Sequence, residues 1–242
     1  SHGLRGPERN INPEALRIAV FGDSITFGIG VEHDDLFTSL MEDELNNIFQ
    51  DKEVQVFNFG IPSYNTQNEY LYLRDTYELF SPHLIIVQFG TNDVDIPPPE
   101  KMNRSPVFRV AKDISRNLYS YDYLATRYYI LKYQVQNRNK QSQKAPSGHD
   151  LTKYSDDYMG WKRAKRAFSQ IASFCHAHNV PVVFALYTNN VEVAKSLEED
   201  MTYPIIEKVT LALEQSGIEH ILYLDNSFRD YSGQESKLWV RP

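Results

Sequence analysis

Five short apolar runs, separated by helical patterns, constrain the fold of this 242-residue chain more than any other feature. The runs are Leu16–Phe21, Val54–Phe59, His83–Phe89, Val180–Leu186 and His220–Leu224. Each run is nearly continuous, which is typical of strands that are buried on both faces of a parallel sheet. We therefore predict an α/β fold, a three-layer α/β/α sandwich whose parallel sheet of about five strands has the flavodoxin-like order 2-1-3-4-5.

The segments between these runs carry helical patterns. Over Asp34–Gln50, apolar residues recur at the 3.6-residue spacing that gives a helix one apolar face. The other predicted helices run from Asn65 or Thr66 to about Leu79, over Ser155–His178 and over Tyr203–Ser216. Helices placed between parallel strands cover both faces of the sheet, which agrees with three layers.

The alternation breaks between Asp95 and Ser155, and this break sets the predicted domain organisation. Residues 1–15 are polar, so they are interpreted as a lead-in or a remnant of processing. Residues 16–242 are predicted to form a single domain, with an inserted cap at about 96–155 that contains a tyrosine-rich stretch. The polar part of this insertion, Gln134–Gly148, is expected to be the most mobile part of the chain.

Composition excludes several classes of function. A net charge of −7 argues against a nucleic-acid surface, which needs concentrated Lys and Arg. The single cysteine, Cys175, leaves no internal disulfide and no cysteine-based metal site, and a buried packing role is predicted for it. No apolar run is long enough for a membrane-spanning helix. The compartment and the oligomeric state stay open, with an exported location as one alternative.

Polar turns that contain glycine follow the first three predicted strands. They are Phe21–Gly28, Asn58–Gly60 and Gly90–Asp93. Ligand sites in parallel α/β sheets form at the carboxyl ends of strands, so these turns are expected to meet at one edge. Ser24 can present a hydroxyl there, Gly60 an unobstructed N–H and Asn92 an amide. A hydroxyl surrounded by donors suits acyl transfer, because negative charge develops on the carbonyl oxygen that is attacked.

These turns resemble three sequence blocks of the GDSL/SGNH hydrolase superfamily in order and spacing. Gly22–Ile25 is similar to the first block, Gly60 to the second and Gly90–Asp93 to the third. The resemblance implies a serine hydrolase that cleaves acyl esters, of the lipase/esterase or carbohydrate O-acetylesterase type, through an acyl-Ser24 intermediate. It implies no cofactor and no metal, and the expected partner is a small-molecule or glycan acyl ester.

The resemblance also implies a role for each matching residue. Ser24 would be the nucleophile, and its backbone N–H would be one donor of the oxyanion hole. The Gly60 N–H and the Asn92 side chain would be the other two donors. The residues interpreted as supports of the turns are Gly22, Asp23, Gly90 and Asp93. The insertion leaves directly after the third turn and is therefore expected to border the Ser24 pocket.

The base is where this chain departs from the family pattern. The superfamily carries its histidine, and the acid that orients it, as Asp-x-x-His in a last block. No histidine of this chain has an aspartate three residues before it. We therefore expect the natural protein to continue past Pro242 with this block, and residues 1–242 alone to be nearly inactive. His83 and His149 are the next candidates for a base.

Other interpretations of the same residues remain open. Ser24 is compatible with a helix cap alone, although that leaves Gly60 and Asn92 unexplained. A dinucleotide-binding loop over Gly22–Gly30 lacks its third glycine, and Thr26 replaces the second glycine of the G-x-S-x-G motif of α/β-hydrolases. Two functions stand beside ester hydrolysis: an O-acyltransferase that uses Ser24 with a glycan acceptor, and a non-catalytic binding domain.

Overall fold

The five apolar runs form one parallel sheet. The computed structural model describes residues 4–95, 151–187 and 204–224 of the chain. The strands are β1 (Leu16–Gly22), β2 (Val54–Gly60), β3 (Leu84–Gly90), β4 (Val182–Tyr187) and β5 (His220–Tyr223). All neighbouring strands pair in parallel, and their order is β2-β1-β3-β4-β5. This is the flavodoxin-like order, so the predicted fold class and topology are confirmed.

Helices cover both faces of this sheet. The described helices are α1 (Ser24–Phe27), α2 (Phe37–Ile48), α3 (Thr66–Phe80), α4 (Met159–Ala177) and α5 (Pro204–Gln215), with 3-10 helices at Thr91–Val94 and Leu151–Tyr154. On one face, Met41 and Leu45 of α2 pack on a small apolar cluster of β1 and β2. On the other face, α3, α4 and α5 contribute to a larger core that includes the fully buried Phe168 and Ile171. Cys175 is buried in this core, as the sequence predicts.

The polar turns meet at the carboxyl edge of the sheet. Each of the first three strands runs one residue beyond its apolar run and ends on a glycine. Gly22 of β1 lies opposite Gly60 of β2 in the register of the two strands. Because β1 lies between β2 and β3, the three turns that follow these strands are neighbours. Ser24 therefore stands between the other two turns.

Residues 4–15 pack along the outer edge of β2. Arg5 forms an antiparallel bridge with Asn58 of that strand. The Arg9 guanidinium donates to both carboxylate oxygens of Glu42, at 2.6 and 2.7 Å, and also to the Val56 carbonyl. These contacts occupy backbone groups on the open side of an edge strand. Residues 4–15 therefore pack as part of the described fold, through polar contacts that apolar periodicity does not reveal.

The predicted insertion at 96–155 lies outside the described residues except for 151–155. Tyr154, within that short part, is 3% exposed and packs on Trp161 of α4 with ring centroids 5.2 Å apart. Residues 151–155 therefore belong to the α/β body. The tyrosine-rich stretch and the polar part Gln134–Gly148 lie outside the residues that the structure describes. None of the described helices combines the length and the hydropathy needed to cross a bilayer.

Candidate active site

Ser24 occupies the first position of α1, immediately beyond the end of β1. Asp23 caps this helix, since its Oδ1 accepts the Ile25 N–H at 2.8 Å. The helix ends after one turn, where Gly28 adopts the left-handed conformation (φ 71°) and donates its N–H to the carbonyls of Ser24 and Ile25. Ser24 is half-buried, and neither its hydroxyl nor its N–H is hydrogen-bonded within the described part of the chain. The turn thus fixes the Ser24 backbone and leaves the hydroxyl available.

Gly22 and Gly60 allow α1 to lie directly against the sheet. A Cβ on Gly22 would lie 2.1 Å from Thr26 Oγ1, and a Cβ on Gly60 would lie 2.3 Å from the Phe27 backbone nitrogen. Thr26 is completely buried, and its hydroxyl donates to Gln88 Oε1 of β3 at 3.1 Å. Two glycines at paired positions are therefore a packing requirement of the turn that carries Ser24.

The Asn92 side chain lies beside this turn. Its Nδ2 donates to Asp23 Oδ2 at 2.6 Å, and the residue is exposed rather than turned into the core. A primary amide has a second N–H, and that one has no partner in the described ranges. Asp23 is 2% exposed, and each of its two oxygens accepts a hydrogen bond. Ser24 and Asn92 are thus brought together through Asp23.

Asp93 fixes the 3-10 helix that carries Asn92. Its Oδ2 accepts the Gly90 N–H at 2.6 Å, and its Oδ1 accepts the Thr66 hydroxyl at 3.2 Å. Asp93 therefore ties the end of β3 to the start of α3. Burial raises the pKa of Asp93 to about 7 although the Gly90 hydrogen bond lowers it, and the Asp23 charge raises it further.

The Gly60 N–H is already engaged in the structure. It donates to Asn58 Oδ1 at 2.9 Å in a buried position. The Asn58 amide is oriented by its Nδ2, which donates to the Thr26 carbonyl at 2.6 Å. The Gly60 N–H thus has a partner in the structure, and its role as an oxyanion donor stays a prediction. Glycine is needed here for the close approach of Phe27, and a sequence pattern does not separate that need from an available N–H.

The turn after β2 offers an N–H that the sequence analysis does not identify. The Ile61 N–H donates to the Gly22 carbonyl at 3.0 Å, which holds this turn beside the end of β1. Ser63 has a φ of 70°, as a type II turn requires at its third position, and Pro62 at the second position is the sequence signal for such a turn. Ser63 is exposed, and its N–H has no partner in the parts of the chain that the structure describes.

The described histidines do not supply a base, since none of them is hydrogen-bonded to Ser24. His83 precedes β3, and its Nδ1 accepts the N–H of Arg17 at 3.1 Å. Both residues lie at the amino ends of strands, whereas Ser24 follows a carboxyl end, and a strand of this length spans roughly 20 Å. His83 is therefore wrong as a candidate base. His149 lies outside the described residues.

Comparisons with known proteins identify the family and the fold of this chain. A model of the GDSL-like Lipase/Acylhydrolase family matches residues 20–240. A mutant of the esterase AlinE4 matches with a TM-score of 0.51 and 13% identity, over 96% of this chain and 86% of that one. The psychrotrophic esterase EstA from Pseudoalteromonas sp., in a structure inhibited by monoethylphosphonate, matches with a TM-score of 0.50 and 12% identity, over 93% of this chain and 84% of that one.

Other comparisons define how far the similarity extends. The crystal structure of TesA matches over 70% of this chain and 59% of its own, with a TM-score of 0.39 and 14% identity, so the match spans less than two thirds of that protein. No curated protein matches the chain in sequence. At these identities the solved structures establish the fold, and the family model, which spans most of the chain, establishes the family. The chain belongs to the GDSL-like lipase/acylhydrolase family, and its class of reaction is the hydrolysis of carboxylic esters.

Proposed function

We propose that this protein cleaves acyl esters through an acyl-enzyme intermediate on Ser24. The observation that carries the proposal is the 2.6 Å contact between Asn92 and Asp23, which brings a primary amide to the turn of an unbonded serine hydroxyl. Attack by Ser24 Oγ on the ester carbonyl would place negative charge on the carbonyl oxygen beside these donors. Collapse of the tetrahedral species expels the alcohol and leaves acyl-Ser24, which water then cleaves.

Three N–H groups form the oxyanion hole in this proposal. They belong to the Ser24 backbone, the Asn92 amide and the Ser63 backbone, and each lacks a partner among the described residues. Ser63 takes the place of Gly60, whose N–H is bonded to Asn58. Such donors act when they lie about 3 Å from the oxygen of the tetrahedral species.

The proposed base comes from residues that the structure does not describe. A serine hydroxyl is a weak nucleophile at neutral pH until a base takes its proton. The resemblance to the superfamily implies a histidine oriented by an aspartate. His149, which lies outside the described residues, is the candidate in this chain, and a His149→Ala variant would test it through loss of esterase activity.

The proposed substrates are small acyl esters, including O-acetylated glycans. Ile25 follows the nucleophile directly and is 40% exposed, and Ile29 in the same turn region is 47% exposed, so an acyl chain would meet apolar surface there. Transfer of the acyl group to a sugar hydroxyl would use the same acyl-Ser24. The ratio of acetate to acetylated sugar formed from a common donor separates hydrolysis from transfer.

Acylation of Ser24 by p-nitrophenyl acetate tests the proposal. Quenched reactions are digested, and the acetylated peptide is identified by mass spectrometry. We expect acetyl on the peptide that contains Ser24, its loss in Ser24→Ala, and its retention in Ser169→Ala, a matched change on the exposed surface of α4. Acetylation at another residue, with Ser24 unmodified, would contradict the proposal.

The donor set is tested separately with a phosphonate ester. The EstA structure inhibited by monoethylphosphonate suggests this class of probe, whose phosphoryl oxygen stands in for the oxyanion. In a structure of the Ser24 adduct, we expect that oxygen within hydrogen-bond distance of the Ser63 nitrogen and Asn92 Nδ2. A contact with the Gly60 nitrogen in place of Ser63 would restore the assignment made from the sequence.

A further inference from the structure

Glu69 is a buried acid that the proposed mechanism does not use. It lies in the first turn of α3 and is 1% exposed. Neither of its carboxyl oxygens has a hydrogen-bond partner among the described residues. The charged form of a carboxyl group is strongly disfavoured when it is buried without donors or a cation, so a group in this position is expected to keep its proton.

Two further buried carboxyl groups act electrostatically on Glu69. Asp93 follows β3 and Asp23 follows β1, and they are 4% and 2% exposed. Burial raises the pKa of Glu69 well above its ordinary value, and the charges of Asp93 and Asp23 raise it further. Helix α4, the third element that packs on α3, adds no charged group that acts on Glu69.

The described residues supply no positive charge to these three groups. None of the ion pairs in the described ranges involves Asp23, Glu69 or Asp93. The three carboxyl groups are not arranged as metal ligands either, since no set of three or more His, Cys, Asp or Glu side chains in these ranges has that arrangement. Within the described structure, a proton is the neutralising charge that remains.

Hydrogen bonds decide which of the three groups carries that proton. Asp23 and Asp93 each accept two hydrogen bonds, one from a backbone N–H and one from a side chain. Donors of this kind favour the charged form of the carboxyl group that accepts them. Glu69 has no such donor. The proton therefore belongs on Glu69.

We propose that Glu69 is a positioning residue of the Ser24 site, and that its proton allows Asp93 and Asp23 to hold the nucleophile turn. Asp93 anchors the 3-10 helix of Asn92, and Asn92 bonds Asp23, which caps the helix of Ser24. At a pH above about 7, where Asp93 is charged, loss of the Glu69 proton places three negative charges in one buried region. The Asn92–Asp23 contact then breaks, because moving either aspartate away relieves the repulsion. The role in catalysis rests on the proposed function of Ser24.

The proton on Glu69 makes stability depend on pH in a defined direction. The pKa of Glu69 in the folded state lies above its unfolded value of about 4.3, so its contribution to stability is complete below a pH of about 4.3. That contribution is lost as the pH rises through the folded-state pKa. Between these two pKa values, unfolding of the wild type releases the Glu69 proton. The Glu69→Gln variant has no such proton to release.

The test compares thermal unfolding of the wild type, Glu69→Gln and Glu78→Gln across neutral pH. Glu78 is exposed on the same helix, so its substitution is a matched change of charge. We expect the wild type and Glu78→Gln to release about one more proton on unfolding than Glu69→Gln, seen as a steeper fall of Tm with pH. An equal pH dependence in all three proteins would overturn the proposal.

A measurement on the wild type keeps the test decisive if Glu69→Gln does not fold. In NMR spectra of protein labelled with ¹³C at the glutamate carboxyl groups, one glutamate is expected to titrate well above the others. The side-chain amide signals of Asn92 are expected to shift at the same pH, which a merely structural Glu69 would not cause. Glutamates that all titrate in the ordinary range, or Asn92 signals that do not follow, would overturn the proposal.

Acetylation of Ser24 and titration of Glu69 distinguish failure of the proposed function from failure of the positioning role. If p-nitrophenyl acetate acetylates another residue and leaves Ser24 unmodified, the nucleophile assignment falls whatever the pH behaviour of Glu69. If Ser24 is acetylated and the titration of Glu69 is ordinary, only the positioning role falls. Neither the unfolding measurement nor the NMR titration depends on ester hydrolysis.

Discussion

Ser63 has a left-handed backbone conformation (φ 70°) that residues other than glycine rarely adopt. Three described non-glycine residues have a positive φ: Ser63, Ser81 and Asn179. Ser81 is the left-handed cap that ends α3, and Asn179 follows the end of α4, so both have ordinary helix-terminating roles. Ser63 ends no helix and lies in the turn beside Gly22. It lies instead at the edge of the sheet where β1 and β2 end, and functional sites tend to hold such strain.

Substitutions at Ser63 separate its backbone role from its side-chain role. Ser63→Gly removes the cost of a left-handed L-residue and is expected to raise the free energy of unfolding by about 0.5–1 kcal/mol, with kcat retained. Ser81→Gly is the matched control, with a similar gain and no effect on hydrolysis. Ser63→Val is expected to lower both stability and kcat. Chemical denaturation and ester hydrolysis measure these outcomes, and a wild-type kcat for Ser63→Val would exclude Ser63 from the donor set.

Asn92 is the donor whose removal is easiest to interpret. Asn92→Ala deletes one oxyanion donor, and kcat is expected to fall by about 10²–10³ with little change in KM. Stability is also expected to fall by about 1 kcal/mol, because Asp23 loses one of its two hydrogen bonds. Asn68→Ala, on the exposed side of α3, is the control. Steady-state kinetics of the two variants decide the matter, and an unchanged kcat for Asn92→Ala would make Asn92 structural only.

At the level of elements, the site depends on how closely α1 approaches β2. A four-residue helix has little stability of its own, so its place is set by contacts with the sheet. The Thr26 hydroxyl bonds Gln88, the Thr26 carbonyl accepts from Asn58, and the glycine at position 60 leaves room for the Phe27 backbone. The position of Ser24 is thus a consequence of packing between neighbouring strand ends.

Gly60→Ala tests this close approach. Its Cβ would lie 2.3 Å from a backbone nitrogen, which cannot move as the end of a flexible side chain can. We expect a loss of about 1–3 kcal/mol in the free energy of unfolding, together with a loss of activity as α1 shifts. Gly30→Ala is the comparison, because no atom lies within 4 Å of its Cβ and only its positive φ is strained. Equal effects of the two substitutions on activity would contradict this role for Gly60.

The sequence was informative about elements because strands buried on both faces must be apolar on both faces. The five apolar runs therefore predict the five strands. The preferred connections of parallel sheets then predict the strand order and the edge where the turns meet. The prediction missed the last residue of each of the first three strands. These residues are glycines, which carry no apolar signal but still belong to the strands, at Gly22, Gly60 and Gly90.

The sequence was less informative about hydrogen bonds within the site. The orientation of Asn58, which engages the Gly60 N–H, depends on the Thr26 carbonyl of a different element. Glu69 sits in the first turn of a helix, where an acid is ordinarily solvated and favourable. Its burial depends on how the turn containing Asp93 packs on α3, which no local pattern specifies.

On the scale of the whole molecule, the outer edge of β2 is covered by residues 4–15. Edge strands expose unpaired backbone groups that promote pairing with other chains. Here Arg5 bridges to Asn58, while Arg9 bonds Glu42 and the Val56 carbonyl and lies 4.7 Å above the Phe57 ring. The segment therefore stabilises the fold and protects an edge of the sheet.

Arg9→Ala is expected to weaken this protection. Loss of its hydrogen bonds to a carboxylate and a carbonyl should lower the free energy of unfolding by about 1–3 kcal/mol. Arg74→Ala is the control, since Arg74 pairs only with the exposed Asp75 and such pairs contribute about 0–1 kcal/mol. Urea unfolding and light scattering measure stability and aggregation. Equal stability of the two variants would show that the edge contact is energetically neutral.

The contact between Asn92 and Asp23 also bears on when the protein becomes reactive during its synthesis. The two residues are 69 positions apart, so the entropy of loop closure opposes their contact until β1 and β3 are neighbours. Contacts of such sequence separation form late relative to local helices. A chain emerging from the ribosome therefore carries Ser24 long before the amide that completes its surroundings. With Ser24 as the proposed nucleophile, reactivity toward esters is expected to be a property of the folded chain.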